Sequence, residues 1–133
     1  MKLIVAGSRS IHLGLEGIKR VFDLSYEFYR DLREAVDTAE EYDELEIVSG
    51  GCTSGPDAGA KLWCASEEVS YKEFSADWDQ YGKAAGPIRN KEMAEYGDAL
   101  LLVWDGDSKG SANMKAEMEK LKKPVYEIIL KAR

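Results

Sequence analysis

At 133 residues, 44% hydrophobic and 32% charged, the chain is long enough for one packed core and too short for two. A net charge of −7 sets its overall field against a nucleic-acid backbone, whose binding rests largely on Lys and Arg neutralising phosphates. No apolar run nears the ~20 residues that a membrane span needs. "MKLIVAG" reads as a buried first strand rather than a signal peptide, so a cytoplasmic protein without a membrane partner is expected.

In chain order, "KLIVAG" (2–7) is a near-continuous apolar strand followed by "GSRS" (7–10). The part from Ser10 to Arg20, with Gly14 and Gly17, reads as a loop or short helix ahead of one long helix. In that helix Val21, Phe22, Phe28, Tyr29, Leu32, Val36 and Ala39 recur at helical spacing. The acidic "EEYDELE" (40–46) marks a solvated helix end and turn. "LEIVSG" (45–50) is the second strand, "SGGCTSGPD" (49–57) its glycine-rich exit, and Ala58, Leu62 and Ala65 mark the next helix. "VSYKEF" (69–74) is a third strand, leading through "WDQYGKAAGPIRNKEM" (78–93) into a helix over 87–96. "ALLLVW" (99–104), "DGDSKGSAN" (105–113), a helix over 111–122 and "PVYEIIL" (124–130) complete the chain. This alternation predicts a single three-layer α/β/α domain, doubly wound, with a five-stranded, mostly parallel sheet over residues 1–133. Such sheets take ligands at the carboxyl ends of their strands, where four polar, glycine-bearing loops fall together.

Cys52 and Cys64 match no zinc or redox spacing and read as reduced thiols, Cys64 as a buried one. His12 alone builds no histidine metal centre, and neither a metal nor a cofactor is called for.

The loops carry the chemistry. In "SGGCTSGPD", Gly50, Gly51 and Gly55 expose backbone N–H groups ahead of a helix N-terminus, which favours an anion such as phosphate, although glycines also serve a plain tight turn. The stretch is neither GxxxxGK[ST] nor GxGxxG. In "GDSKGSANM", Gly106 and Gly110 free the backbone and Ser111 is placed to cap the helix. Gly7, Ser8 and Arg9 add a Gly-Ser pair and a planar guanidinium suited to phosphate or carboxylate. Pro87 suits a first helical turn, which would also hold Arg89 and Asn90. A cation there opposes the helix dipole, a cost that a bound anion would relieve; a surface pair with Glu92 or Asp57 is the plainer alternative. Lys83 is a further cation for the same ligand, and Trp78 and Tyr81 suit either base stacking or packing.

Taken together, "SGG…GPDAGA", "DWDQYGKAAGPIRNKEM" and "GSANM" resemble the YspA-like branch of the SLOG superfamily, which includes DprA/Smf DNA-processing proteins and the lonely-guy (LOG) phosphoribohydrolases. The likeness spans nearly the whole chain, and "DWxxYGKAAGPIRN" is its most specific part. It implies a Rossmann-like fold with a pocket for a nucleotide or nucleotide-derived ligand. LOG enzymes use an arginine in a motif like RKxxM and a glutamate in PGGxGTxxE. Here Arg89 matches the arginine, Asn90 replaces the lysine, Gly110 and Ser111 take the GT positions, and Met114 stands where the glutamate would be. The chain also departs from the branch in its longer "GGCTSGPD" loop and its longer segment from Ile11 to Tyr42.

The first expectation is therefore a binding or sensing domain with Arg89 and the glycine loops on phosphate, and Asn90, Asn113 and Asp57 on sugar or base. The alternative is an N-glycosidase or phosphoribohydrolase acting on nucleoside monophosphates with a relocated carboxylate, from Asp57, Asp77, Asp105 or Glu92, since methionine neither stabilises the positive charge that develops on the sugar nor activates water. No catalytic residue is assigned. DprA-like DNA handling ranks third, because the chain is acidic and has no basic stripe. The aromatic run "FDLSYEFY" (22–29) suits a core or a homodimer face, and the LOG likeness inclines it toward a homodimer.

Overall fold

A computed structural model describes residues 1–52 and 54–130; Thr53 of the glycine loop lies outside them. Five strands, β1 (Lys2–Gly7), β2 (Glu46–Ser49), β3 (Ser70–Glu73), β4 (Ala99–Trp104) and β5 (Val125–Ile129), form one sheet in the order β3-β2-β1-β4-β5. Every pairing is parallel, so the sheet is wholly rather than mostly parallel. This is the Rossmann-like three-layer architecture.

Parallel strands covered on both faces are apolar along their whole length. In β1, Leu3 and Val5 face one layer while Ile4 and Ala6 face the other; in β4, Leu101 and Val103 oppose Leu100, Leu102 and Trp104. The first layer holds α1 (Leu15–Phe28), α2 (Arg30–Glu41) and α3 (Gly55–Glu67), through Ile18, Phe22, Leu32, Val36 and Trp63. The second holds α5 (Ala85–Tyr96) and α6 (Lys109–Lys120), through Met93, Ala94, Met114 and Met118. β3 closes one edge and is largely exposed.

Two expectations change. The single long helix is two: α1 begins at Leu15, inside the segment read as a loop or short helix, and the helix breaks at Tyr29 (φ −123°, ψ 87°). Tyr29 Oη donates to the Glu127 carbonyl at 2.9 Å, its ring meets Tyr126 edge-on at 5.1 Å, and Tyr126 Oη donates to Asp31 at 2.8 Å. These contacts with β5 sit at the break itself, while the helical period runs through it unchanged. Of the aromatics in "FDLSYEFY", Phe22 is core, Tyr26 and Tyr29 are half-buried, and Phe28 is exposed.

Residues 78–84 are the second difference. They are not a loop into a helix at 87 but a short helix α4 (Trp78–Tyr81), a 3-10 turn (Gly82–Ala84) and then α5. Asp77 caps α4, its Oδ1 accepting from Gln80 N–H at 3.1 Å. Because α5 starts at Ala85, Pro87 stays in its first turn, whereas Arg89 lies in the second. The dipole penalty expected at Arg89 is correspondingly weaker, since that field falls off within one turn. Among the described residues, no helix is long and apolar enough to cross a membrane.

Candidate functional site

β1 and β4 are neighbours, but the chain leaves β1 toward the layer of α1 and leaves β4 toward the layer of α6. Diverging exits at this switch of strand order open a crevice at the carboxyl ends. It is a cleft of about 350 Å³ lined by Gly7, Ser8, Arg9, Gly50, Asp57, Arg89, Asn90, Gly110 and Ser111, among others.

The exits of β1 and β4 are bound tightly together. Ser8 N–H donates to the Val103 carbonyl at 3.2 Å, and Ser8 Oγ accepts from Asp105 N–H at 3.1 Å. Asp105 Oδ1 accepts from the N–H groups of Asp107 and Ser108 at 2.8 and 2.9 Å, which holds its carboxylate below the usual range. Ser108 then caps α6, its Oγ facing Ser111 N–H at 3.5 Å, so the cap is Ser108 and not Ser111. That frees the Ser111 side chain: its Oγ is buried at the cleft and has no hydrogen-bond partner among the described residues.

The other wall is built around Arg89. Its Nη1 donates to the Gly50 carbonyl at 2.9 Å and its Nε to Asn90 Oδ1 at 3.0 Å, and Asn90 Nδ2 donates to Asn113 Oδ1 at 2.9 Å and to the Gly110 carbonyl at 3.3 Å. This chain ties the exits of β2 and β4 to α5. It also requires glycine at position 50, where a Cβ would run into the Arg89 guanidinium. Neither surface pair weighed for Arg89 forms; among the described residues neither Arg9 nor Arg89 has a carboxylate partner within ion-pair distance.

Asp57 is 6% exposed beside this wall, with Oδ2 accepting from Cys52 N–H at 3.3 Å. Burial raises its carboxyl above the ordinary value, opposed by the Cys52 hydrogen bond and by Arg89. A raised folded-state pKa contributes stability that is complete below the ordinary carboxylate pKa and is lost as pH rises through the folded value. Asp57→Asn is therefore expected to gain stability relative to the wild type as pH climbs from 4 to 8, because the amide keeps an acceptor for Cys52 N–H without the buried charge. Urea titrations at several pH values measure this, and a variant that loses ground as pH rises contradicts it. Cys52 lines the same cleft, and burial together with Asp57 raises its thiol against Arg9 and Arg89, so it is no thiolate nucleophile at neutral pH. Cys64 is buried in the core, its thiol pushed up to about 12.

The remaining candidates divide. Gly51 lines an adjoining cavity, Gly55 packs under the Ser8 carbonyl as the first residue of α3, and Asn113 stands behind Asn90. Lys83 is exposed and lines neither cavity. Of the carboxylates weighed for a glycosidase, Asp57 and Asp105 line the cleft, while Asp77 is occupied as a cap and Glu92 is exposed outside it. Met114, 1% exposed, packs with Met93 in the core and lines the cleft. Cys52 and Ser108 were not singled out as ligand-facing. The signal for Ser108 was its place three residues before Ser111, the spacing of a capping side chain and the N–H it serves.

Fold and site together define a doubly wound α/β protein with a polar, arginine-bearing cleft at its switch point. Comparison with protein-family models, characterised proteins and solved structures found no match.

Proposed function

We propose that the protein binds or senses a small nucleotide or nucleotide-derived ligand in this cleft, as its likeness to the SLOG superfamily implies. The observation that carries this is a pair of arginines, without an ion-pair partner among the described residues, on one cleft of a chain whose net charge is −7. Cations left unpaired beside so many carboxylates suit an anion supplied from outside. Arg89 spends two N–H directions on Gly50 and Asn90, which orients the rest of its fork, and planar forks match phosphate oxygens. The orphaned Ser111 hydroxyl is a donor for the same anion, and Asp57 and Asn90 are suited to sugar hydroxyls or a base edge. A thermal-shift panel of AMP, ADP-ribose, NAD+ and cyclic nucleotides tests this. A ligand at about 100 times its Kd stabilises by about 2.7 kcal/mol. If no nucleotide stabilises the wild type more than it stabilises Arg89→Ala, the proposal fails.

One observation favours a second reading, N-glycosidic cleavage of a nucleoside monophosphate: a buried carboxyl with a raised pKa, Asp57, stands in the cleft near the arginine. A raised pKa extends the pH range over which a carboxyl can donate its proton as a general acid. Breaking the C1′–N bond sends its electron pair to the base; Asp57 would protonate the leaving base, and water would add its oxygen to C1′ and return a proton to the Asp57 carboxylate. Chromatography of incubations with nucleoside monophosphates decides: released free base that disappears in Asp57→Asn supports the reaction, and intact nucleotide across the panel rejects it.

A further inference from the structure

The cleft continues past its arginines. A second cavity of about 320 Å³ shares Arg9, Gly50, Cys52 and Arg89 with the first, and adds Ser75, Ala76 and Trp78. Each is at the lower end of the about 300–1,000 Å³ usual for small-molecule sites. Two chambers of similar size thus meet at two guanidinium groups that have no ion pair among the described residues.

The chambers differ in what they offer a ring. The first brings the carboxyl of Asp57, the amide of Asn90 and the thioethers of Met93 and Met114. The second brings an indole: Trp78 is 51% exposed, yet it is not loose. It opens α4, which Asp77 caps, and its ring lies so close to α5 that a Cβ on Gly86 would sit 3.3 Å from it. A large aromatic held in place and half open beside a cationic boundary is a stacking platform for a base.

We propose that the ligand is a two-armed nucleotide diphosphate, with its diphosphate at the boundary between Arg9 and Arg89, one ring-bearing arm in the first chamber and the other on Trp78. This rests on the cleft being a nucleotide site. A diphosphate spreads its charge over two phosphoryl groups, which two separate planar forks match better than a single phosphate does. A nucleoside monophosphate fills one chamber and leaves the other empty.

Calorimetric titration of NAD+ and AMP into the wild type, Trp78→Ala and Ser10→Trp tests this. Ser10 is exposed and lines only the first chamber, so a tryptophan there obstructs that arm, as Trp78→Ala weakens the other. NAD+ is expected to bind at least tenfold tighter than AMP and to lose about tenfold or more in each variant, whereas AMP loses affinity in at most one. NAD+ binding no tighter than AMP, or indifferent to either substitution, overturns the two-armed ligand while leaving nucleotide binding standing. If neither nucleotide binds the wild type, both proposals fall. Circular dichroism of both variants separates lost binding from lost folding.

Discussion

Replacing Gly7 by alanine is expected to destabilise the protein by about 3 kcal/mol or more, at or beyond the upper end of ordinary overpacking costs. Gly7 ends β1 against β4, and a Cβ there would overlap the Val103 carbonyl and stand 2.8 Å from Cγ of Pro56. Neither neighbour yields cheaply. The carbonyl accepts Ser8 N–H at 3.2 Å, and moving it would pull apart the two exits that frame the cleft. Pro56 is fixed in the first turn of α3. Urea denaturation should show a lower midpoint at an unchanged m-value. Gly110→Ala is the control: a Cβ there meets nothing within 4 Å, and α6 favours alanine, so the change should be neutral or stabilising by up to about 1 kcal/mol. A Gly7→Ala variant as stable as the wild type would show that the junction has more room than its geometry indicates.

Arg89→Ala is expected to weaken nucleotide binding about 10- to 100-fold, the range of about 1.5–3 kcal/mol for hydrogen bonds to charged groups. Arg89→Lys should not restore it. The guanidinium reaches the Gly50 carbonyl and Asn90 Oδ1 with different nitrogens and keeps further N–H groups for a ligand, and a single ammonium does not reproduce that fork. Since Asn90 is also held by Gly110 and Asn113, the wall should survive the loss, with stability changed by about 1 kcal/mol per lost hydrogen bond. Calorimetry with the tightest nucleotide, beside urea denaturation of the unliganded proteins, separates the two effects. Unchanged affinity in Arg89→Ala would remove Arg89 from the site.

Much of this site could be read in advance because its landmarks are local. β1, β2 and β4 are short apolar runs ended by glycine or polar residues, so the places where they exit, and hence Gly7 to Arg9, Gly50 and Gly110, were legible from the sequence. Pro87 and the "IRN" behind it placed α5 to within two residues of its start. What failed was equally local: the helical period is the same on both sides of Tyr29, so nothing in the spacing marked the break, where Tyr29 meets Tyr126 and Glu127 about a hundred residues away. Ser111 and Ser108 both suit a helix start, and choosing between them needed the Asp105 turn that brings Ser108 to the cap.

Periodicity tells which side of an element is apolar, and therefore the alternation of strands and covering helices was set by residue pattern, the break at Tyr29 and the short helix α4 apart. It does not tell which strand lies beside which. Only the assembled sheet puts β4 next to β1 and so opens the switch-point crevice; only the folded loops set the Arg89 fork on the Gly50 carbonyl, 39 positions earlier, and leave the Ser111 hydroxyl without a partner among the described residues. Those contacts join residues far apart in the chain, where hydrophobic spacing, turn chemistry and helix caps carry no information, because each acts over only a few residues.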